Sequence, residues 1–144
     1  MKIIASGANR GKTTKVMELV AQHTQQGKSV YITTGELVQE EVARFLEEKG
    51  ANLNLVKSGY VECAIDVISL INSDKESDVV VVDFVSFDNI AGGTALEKML
   101  NGLEMFRMAE KNSGKEIYLT VQKNSGSKSL ELEILEHEEF LRVR

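Results

Sequence analysis

The sequence has 144 residues, of which 42% are hydrophobic and 27% are charged, a size and balance that fit one folded domain and exclude a disordered chain. Its formal net charge of −5 gives no overall attraction to nucleic acid or to an anionic membrane. No apolar run approaches the roughly 18 residues of a membrane span, and the N-terminal run is too short for a signal peptide, so we expect a single domain over residues 1–144 with no membrane partner.

Hydrophobic periodicity predicts that strands alternate with helices for about the first 120 residues. Glycines separate these segments, and proline is absent. The predicted strands cover residues 2–6, 29–33, 53–57, 79–84 and 116–122. The predicted helices cover residues 12–26, 36–49, 61–72 and 94–111. Residues 130–135 and 140–143 follow as a terminal hairpin or as paired strands.

The run from Val79 to Val82 consists of β-branched residues without alternation, which predicts a strand covered on both faces. Alternating strands and helices are typical of a parallel sheet with helices on both sides. The predicted fold is therefore α/β with three layers, a mostly parallel central sheet and a C-terminal β-hairpin. Ligands of such sheets bind beyond the carboxyl ends of the strands, so the residues that follow each strand are the candidates for a site.

The cysteine and the histidines indicate no further chemistry. Cys63, the only cysteine, lies in an apolar helical pattern, which favours a buried thiol over a reactive one and suits a cytoplasmic location. His23 and His137 are far apart and have no metal-ligand spacing around them, so the sequence predicts no metal site built from protein ligands alone.

The turn after the first predicted strand carries a phosphate-binding pattern. The P-loop is G-x-x-x-x-G-K-[ST]. Gly11, Lys12 and Thr13 match it, whereas Ser6 holds the first glycine position and Gly7 comes one residue later. Small residues still let backbone N–H groups approach a phosphate, and the following helix points its positive end at the anion. A turn that binds nothing is the alternative, but a strand before it and a helix after it favour phosphate binding.

The pattern predicts ATP with Mg2+ as the ligand. Lys12 can reach the β and γ oxygens, and Thr13 offers its hydroxyl to magnesium. Asp83 ends the valine strand and can hold the ion through water, as a Walker B residue does. The alternative for Asp83 is a surface residue that caps the strand end. The predicted nucleotide-binding residues are Ser6, Gly7, Ala8, Asn9, Arg10, Gly11, Lys12, Thr13 and Thr14.

Residues 7–87 resemble the RecA-like ATPase core, in particular the DnaB-type replicative helicases and the RecA and RadA recombinases. Residues 7–13 look like a phage-type helicase P-loop. Residues 28–36 look like the second strand of that family, whose end carries a catalytic glutamate. Residues 53–56, a helix and residues 79–83 repeat the order of elements of the family, and residues 118–124 resemble its strand that ends in a polar sensor.

The resemblance implies roles for two residues beyond the P-loop. Glu36 is the candidate base or orienting group for the attacking water, and we expect its strand to lie beside the P-loop strand. Gln122 is the candidate γ-phosphate sensor, because an amide can hydrogen-bond both water and phosphate. The alternatives are a helix-start carboxylate favoured by the helix dipole for Glu36 and a hydrogen bond to a loop for Gln122.

The family usually completes its site with a basic residue from a neighbouring subunit. Arg142 and Arg144 look like such a finger motif, which implies a homo-oligomer with the nucleotide site between subunits. The alternative is a solvated basic C-terminus.

Two candidate mobile loops, residues 83–94 and 123–128, are short for DNA-binding loops, and we expect no additional N-terminal domain of the kind that replicative helicases carry. We therefore expect a minimal ATPase with a role in DNA transactions and single-stranded DNA as a partner, and we do not expect full helicase activity. A nucleotide-binding regulatory module with little turnover is the alternative. A P-loop phosphoryl or adenosyl transferase ranks lowest, because no lid or acceptor motif is visible.

Overall fold

A computed structural model of the chain describes residues 1–6, 12–35, 37–122 and 139–142, and at residues 5, 6, 12, 121, 122 and 139–142 it describes the backbone alone. The described strands are β1 (Lys2–Ser6), β2 (Val30–Thr34), β3 (Val56–Tyr60), β4 (Val79–Asp83), β5 (Glu116–Gln122) and β6 (Glu139–Arg142). The described helices are α1 (Lys12–Gln25), α2 (Gln39–Glu48), α3 (Ala64–Ser73) and α4 (Ala95–Ser113). The predicted alternation of strands and helices is confirmed.

The described strands form one sheet in the order β3-β2-β4-β5-β1-β6. All five pairings between these strands are parallel, which confirms the predicted α/β fold with a mostly parallel sheet. β6 adds to β1 in parallel, with Arg142 opposite Ala5. The other strand of the predicted hairpin, residues 130–135, lies outside the described residues, so the hairpin stays a prediction.

The sheet is buried on both faces, because successive side chains along each central strand enter opposite cores. Ile3 packs with α3 and α4 on one face, and the next residue, Ile4, packs with α1 and α2 on the other. In β4 the same alternation places Val80 with the first core and Val81 with the second. The result is the predicted three-layer architecture. Across the described part of the chain, no helix combines the length and the apolarity needed to cross a bilayer.

Three predicted boundaries were wrong because local hydrogen bonds compete with the periodic pattern. The predicted strand at residues 53–57 begins with a 3-10 turn at Leu53–Leu55, where the Asn52 side chain accepts a hydrogen bond from the Asn54 N–H at 3.1 Å. α3 begins at Ala64 rather than at residue 61, because the Val61 N–H donates to the Thr34 carbonyl at 2.9 Å and holds the chain along the sheet. α2 likewise begins three residues later than predicted.

The segment between β4 and α4 is anchored to the core. Val85, Phe87 and Ile90 are buried against α3 and α4, and the Ser86 N–H donates to the Glu62 carbonyl at 2.7 Å. This packing anchors the first part of the predicted mobile loop over residues 83–94, whereas residues 91–94 are exposed and their mobility stays a prediction. The second predicted loop, residues 123–128, lies outside the described residues.

Gly102 in α4 makes room for the Phe87 ring. A Cβ atom at this position would lie 2.3 Å from Phe87 Cδ1, far inside van der Waals contact. We expect Gly102→Ala to lower the free energy of unfolding by about 1–3 kcal/mol through overpacking, although alanine is normally favoured over glycine inside a helix by about 1 kcal/mol. Urea unfolding measures the change. Asn112→Ala, at an exposed position of the same helix, is the control and should not destabilise the protein.

The same overpacking predicts a rescue. Phe87→Leu replaces the ring that the new methyl group would meet by a smaller side chain. The double variant should therefore lose less stability than the sum of the two single losses. Additive losses would contradict a direct clash between the two side chains.

His23, in the last turn of α1, is buried against Tyr118 of β5. The Tyr118 hydroxyl donates to Glu116 Oε1 at 2.6 Å, so His23 must donate from Nε2 to the Tyr118 oxygen, at 3.1 Å. His23 Nδ1 is buried without a hydrogen-bond partner among the described residues. Burial lowers the pKa of His23 below its usual 6.5, with Lys28 and Lys2 acting in the same direction and Glu116 opposing them.

This lowered pKa of His23 predicts a pH dependence of stability. The unfolded chain binds the proton of His23 more tightly than the folded protein does. The stability that neutral His23 contributes is therefore complete above pH 6.5 and is lost as the pH falls below 6.5 toward the folded pKa. Urea unfolding at pH 7.5 and 5.5 should show a smaller loss of stability for His23→Gln than for the wild type. His137→Gln is the matched control and should keep the loss. A full loss in His23→Gln would contradict the assignment.

Candidate functional site

The carboxyl ends of the strands β1, β2, β4 and β5 lie along the same side of the sheet, which we call the carboxyl edge. In register, Thr34 of β2 lies opposite Asp83 of β4, and Ser6 of β1 lies opposite Gln122 of β5. Gln122, the predicted sensor, is the last residue of β5, and β5 lies between the P-loop strand β1 and the strand of the predicted magnesium ligand, β4. The fold therefore gathers the ends of the predicted site strands on the edge where ligands of parallel sheets bind.

The expectation that the strand before Glu36 lies beside the P-loop strand was wrong. β4 and β5 separate β2 from β1, so the end of β2 lies three strand spacings, roughly 14 Å, from the P-loop strand. β4 and β5 occupy central positions of the sheet, because their side chains are buried on both faces. β3 exposes Lys57, Ser58 and Tyr60 and is an outermost strand of the described sheet. Glu36 itself lies outside the described residues.

Asp83 is a buried carboxylate at this edge, with 1% of its surface exposed. Its Oδ1 accepts a hydrogen bond from the Thr120 hydroxyl at 3.2 Å. The Thr120 oxygen in turn accepts a hydrogen bond from the Phe84 N–H at 2.9 Å. The alternative that Asp83 is a surface residue capping the strand end is therefore wrong.

A strained turn follows Asp83. Phe84 has φ = 63°, the left-handed region that costs a non-glycine residue about 1–2 kcal/mol. The Gly35 N–H donates to the Asp83 carbonyl at 3.1 Å, and a Cβ at Gly35 would lie 2.8 Å from Phe84 Cδ1. Only glycine fits at this approach, so the residue immediately before Glu36 is held against the Asp83–Phe84 turn.

The described residues on both sides of Glu36, Gly35 and Leu37, are not helical. The Thr34 hydroxyl donates to the Leu37 carbonyl at 2.9 Å, so the residues on both sides of Glu36 are tied to the sheet edge. α2 begins only at Gln39, and the acidic residues of its first turn are Glu40 and Glu41. α2 therefore begins three residues after Glu36, which itself lies outside the described residues.

The structure describes part of the predicted P-loop. Residues 7–11 lie outside the described residues, and of Ser6 and Lys12 only the backbone is described, at the end of β1 and the start of α1. Thr13 is half-buried in the first turn of α1, and Thr14 is exposed. The strand before the phosphate pattern and the helix after it, both of which the pattern requires, are thus present.

The strand that ends at Arg142, β6, lies on the opposite side of the P-loop strand from β5. The backbone of Arg142 pairs with Ala5, one residue before the predicted loop begins. Arg144 lies outside the described residues. A role for either arginine across a subunit interface stays a prediction.

The residues at this edge fit a magnesium ion. A hydroxyl from Thr13 and a carboxylate from Asp83 are oxygen ligands, which Mg2+ prefers. A carboxylate with 1% exposure also requires hydrogen bonds or a nearby cation to offset its lost hydration. Among the described residues no group of three or more His, Cys, Asp or Glu side chains converges, so an ion here would take its other ligands from phosphate and water, as Mg2+ usually does.

Sequence reasoning missed three residues of this edge: Thr120, Phe84 and Gly35. A polar residue within the apolar run of β5 was a usable signal for Thr120, because a hydroxyl in a strand buried on both faces requires a partner. The left-handed turn at Phe84 had no signal, since phenylalanine rarely adopts that conformation. Gly35 was recognisable only as a glycine that separates a predicted strand from a predicted helix.

No protein-family profile and no curated protein matches this sequence. The structure is similar to that of a DnaB-like replicative helicase that was determined together with its interactions with primase, with a TM-score of 0.71 and 10% sequence identity. The match covers 90% of this chain but only 40% of the helicase chain. At this identity the likeness shows the fold alone. The chain therefore has an α/β, RecA-like fold with a parallel sheet, similar to that of the DnaB-like helicase.

Proposed function

We propose that this chain is a cytoplasmic ATPase that binds ATP with Mg2+ at the carboxyl edge of the sheet and hydrolyses it in a DNA-related role. The observation that carries the proposal is the position of the sequence Gly11-Lys12-Thr13 between β1 and α1 of a RecA-like fold, with Lys12 and Thr13 opening α1. The similarity to a replicative helicase supports the DNA-related role and, with it, single-stranded DNA and further copies of this chain as partners.

The net charge of the protein restricts a triphosphate to a site with local positive groups. With 17 lysines and arginines against 22 acidic residues, the chain as a whole repels a triphosphate. Binding therefore has to come from backbone N–H groups, the positive end of α1 and Lys12, all at the turn after β1.

The buried carboxylate supports the assignment of magnesium to this site. Thr13 and Asp83 would hold the ion, which neutralises charge on the phosphate oxygens when it is bound. β5 lies between β1, which precedes Thr13 in the chain, and β4, which ends at Asp83. Gln122 ends β5, where its amide would contact the terminal phosphate. Glu36, next to the Gly35 contact with Asp83, would orient the attacking water.

Calorimetry of ATP binding with and without Mg2+, followed by phosphate release with and without single-stranded DNA, tests the proposal. We expect uptake of one nucleotide per chain and release that DNA or assembly stimulates. A folded protein that takes up no ATP in either condition would overturn the proposed function.

A nucleotide-binding regulatory module is the second candidate. The serine at the first P-loop glycine position favours it, since this departure lies where the backbone approaches the phosphate. Tight ATP binding with negligible phosphate release under all conditions would select the module over the ATPase.

A further inference from the structure

Thr120 lies at the centre of the hydrogen bonds that join β4 to β5 at the candidate site. The residue is 3% exposed, and its hydroxyl contacts both the Asp83 side chain and the backbone of Phe84. The prediction of site residues from the sequence did not include it. Its position on β5, with Ile4 of β1 in register beside it, places it one strand from both halves of the candidate site.

The direction of these hydrogen bonds follows from the chemistry of a hydroxyl group. The Phe84 N–H can only donate, so at 2.9 Å the Thr120 oxygen is the acceptor. The single hydroxyl hydrogen of Thr120 is then directed at Asp83 Oδ1, 3.2 Å away. A carboxylate held by a donor at one oxygen has a defined rotation about its Cβ–Cγ bond, and this defines where its second oxygen lies.

The same hydroxyl supports the left-handed turn. Phe84 adopts φ = 63°, and its N–H bond to Thr120 is one of the contacts that hold it there. Gly35 packs against this turn, and its N–H donates a hydrogen bond to the Asp83 carbonyl. Thr120 therefore acts on both the carboxylate and the backbone that carries it.

We propose that Thr120 is a positioning residue, whose hydroxyl orients the Asp83 carboxylate for Mg2+ and so sets how strongly nucleotide binding depends on the ion. This role rests on the proposed function. Groups that orient metal ligands typically contribute about 10- to 100-fold to metal affinity. Without such a group, the ligand side chain loses its rotational freedom only when the ion binds, and this loss weakens binding.

The test is a Mg2+ titration of ATP binding by calorimetry, with a parallel measurement in EDTA. Thr120→Val removes the hydroxyl while keeping the β-branched shape, and we expect it to raise the Mg2+ concentration for half-saturation about 10- to 100-fold and to leave binding in EDTA unchanged. Thr120→Ser keeps the hydroxyl and should restore the wild-type titration.

Thr33→Val is the matched control. Thr33 is buried on β2, which β4 separates from the strand of Thr120, and its hydroxyl has no hydrogen-bond partner among the described residues. The same loss of a hydroxyl at this position should leave the Mg2+ titration unchanged. A structural effect of any threonine-to-valine change in the sheet would shift both variants.

Hydrogen exchange of the Phe84 amide supplies a readout without nucleotide. The amide should be protected in the wild type and should exchange faster in Thr120→Val. An unprotected Phe84 amide in the folded wild type would overturn the proposal even if the valine variant did not fold.

Three other results would also overturn the positioning role: a wild-type titration in Thr120→Val, an equal shift in Thr120→Ser, or an equal shift in Thr33→Val. Each would leave the proposed function standing, because the wild type would still bind nucleotide. A wild type that takes up no ATP with or without Mg2+ would overturn the proposed function, and the role of Thr120 with it.

Discussion

Replacing Lys12 by alanine is expected to weaken ATP binding by about 100-fold or more, because it removes a cation that forms charge-assisted hydrogen bonds to the phosphates. The effect should be large in this protein, since the net charge of −5 offers the triphosphate no compensating attraction elsewhere. Lys12 begins α1, so its charge adds to the positive end of the helix at the same place. Calorimetry at fixed Mg2+ measures the loss.

Lys15→Ala is the matched control for this experiment. It removes the same charge from the same helix three residues further on, at a half-buried position, and changes the net charge of the protein identically. Its ATP affinity should stay close to that of the wild type, because interactions at the helix terminus fall off within the first turn. If Lys12→Ala binds ATP as tightly as Lys15→Ala does, the turn after β1 is not the anion site.

Glu36→Gln is expected to slow phosphate release by about 10²- to 10⁴-fold, the usual contribution of a general base, while ATP affinity stays near the wild-type value. Glutamine keeps the size and one hydrogen-bonding oxygen of the side chain but cannot accept a proton. The structure favours this role, because Gly35 is bonded to the Asp83 carbonyl and Thr34 to the Leu37 carbonyl, on both sides of Glu36. Single-turnover phosphate release measures the effect.

Glu40→Gln provides the control, since it neutralises an exposed carboxylate in the first turn of α2. Phosphate release by this variant should match the wild type. An equal loss of binding and turnover in Glu36→Gln would remove its role as the base, and unchanged turnover would assign the base to another residue. These outcomes are separate from the Lys12 result, which concerns binding alone.

Much of the architecture could be predicted because burial leaves a local imprint on the sequence. β1 and β5 have the predicted bounds, and the β-branched run of β4 correctly indicated a strand covered on both faces. Glycines with positive φ at residues 27, 50 and 114 follow α1, α2 and α4, as the predicted helix ends required. These features depend on contacts between residues close in the chain.

The candidate site was only partly predictable. The pattern around Lys12 and the acidic end of β4 were visible, because each is a short motif next to a periodic segment. The neighbours of Asp83 were not, since Thr120 is 37 residues away and bonds it only after β4 and β5 pair. Phe84 gave no signal, because its left-handed turn is held by the hydroxyl of Thr120 and by close contact with Gly35.

The sequence by itself determined most of the strands and helices and indicated the candidate phosphate-binding segment, since periodicity and motif spacing are local. Only the tertiary structure decided that β4 and β5 separate β2 from β1, that residues 85–90 pack onto the core, and that Asp83 is buried in a hydrogen-bonded turn. The physical reason is that strand order is set by which faces pack best over the whole sheet. Apolar side chains buried on both faces favour the centre of the sheet, and no local pattern encodes that competition.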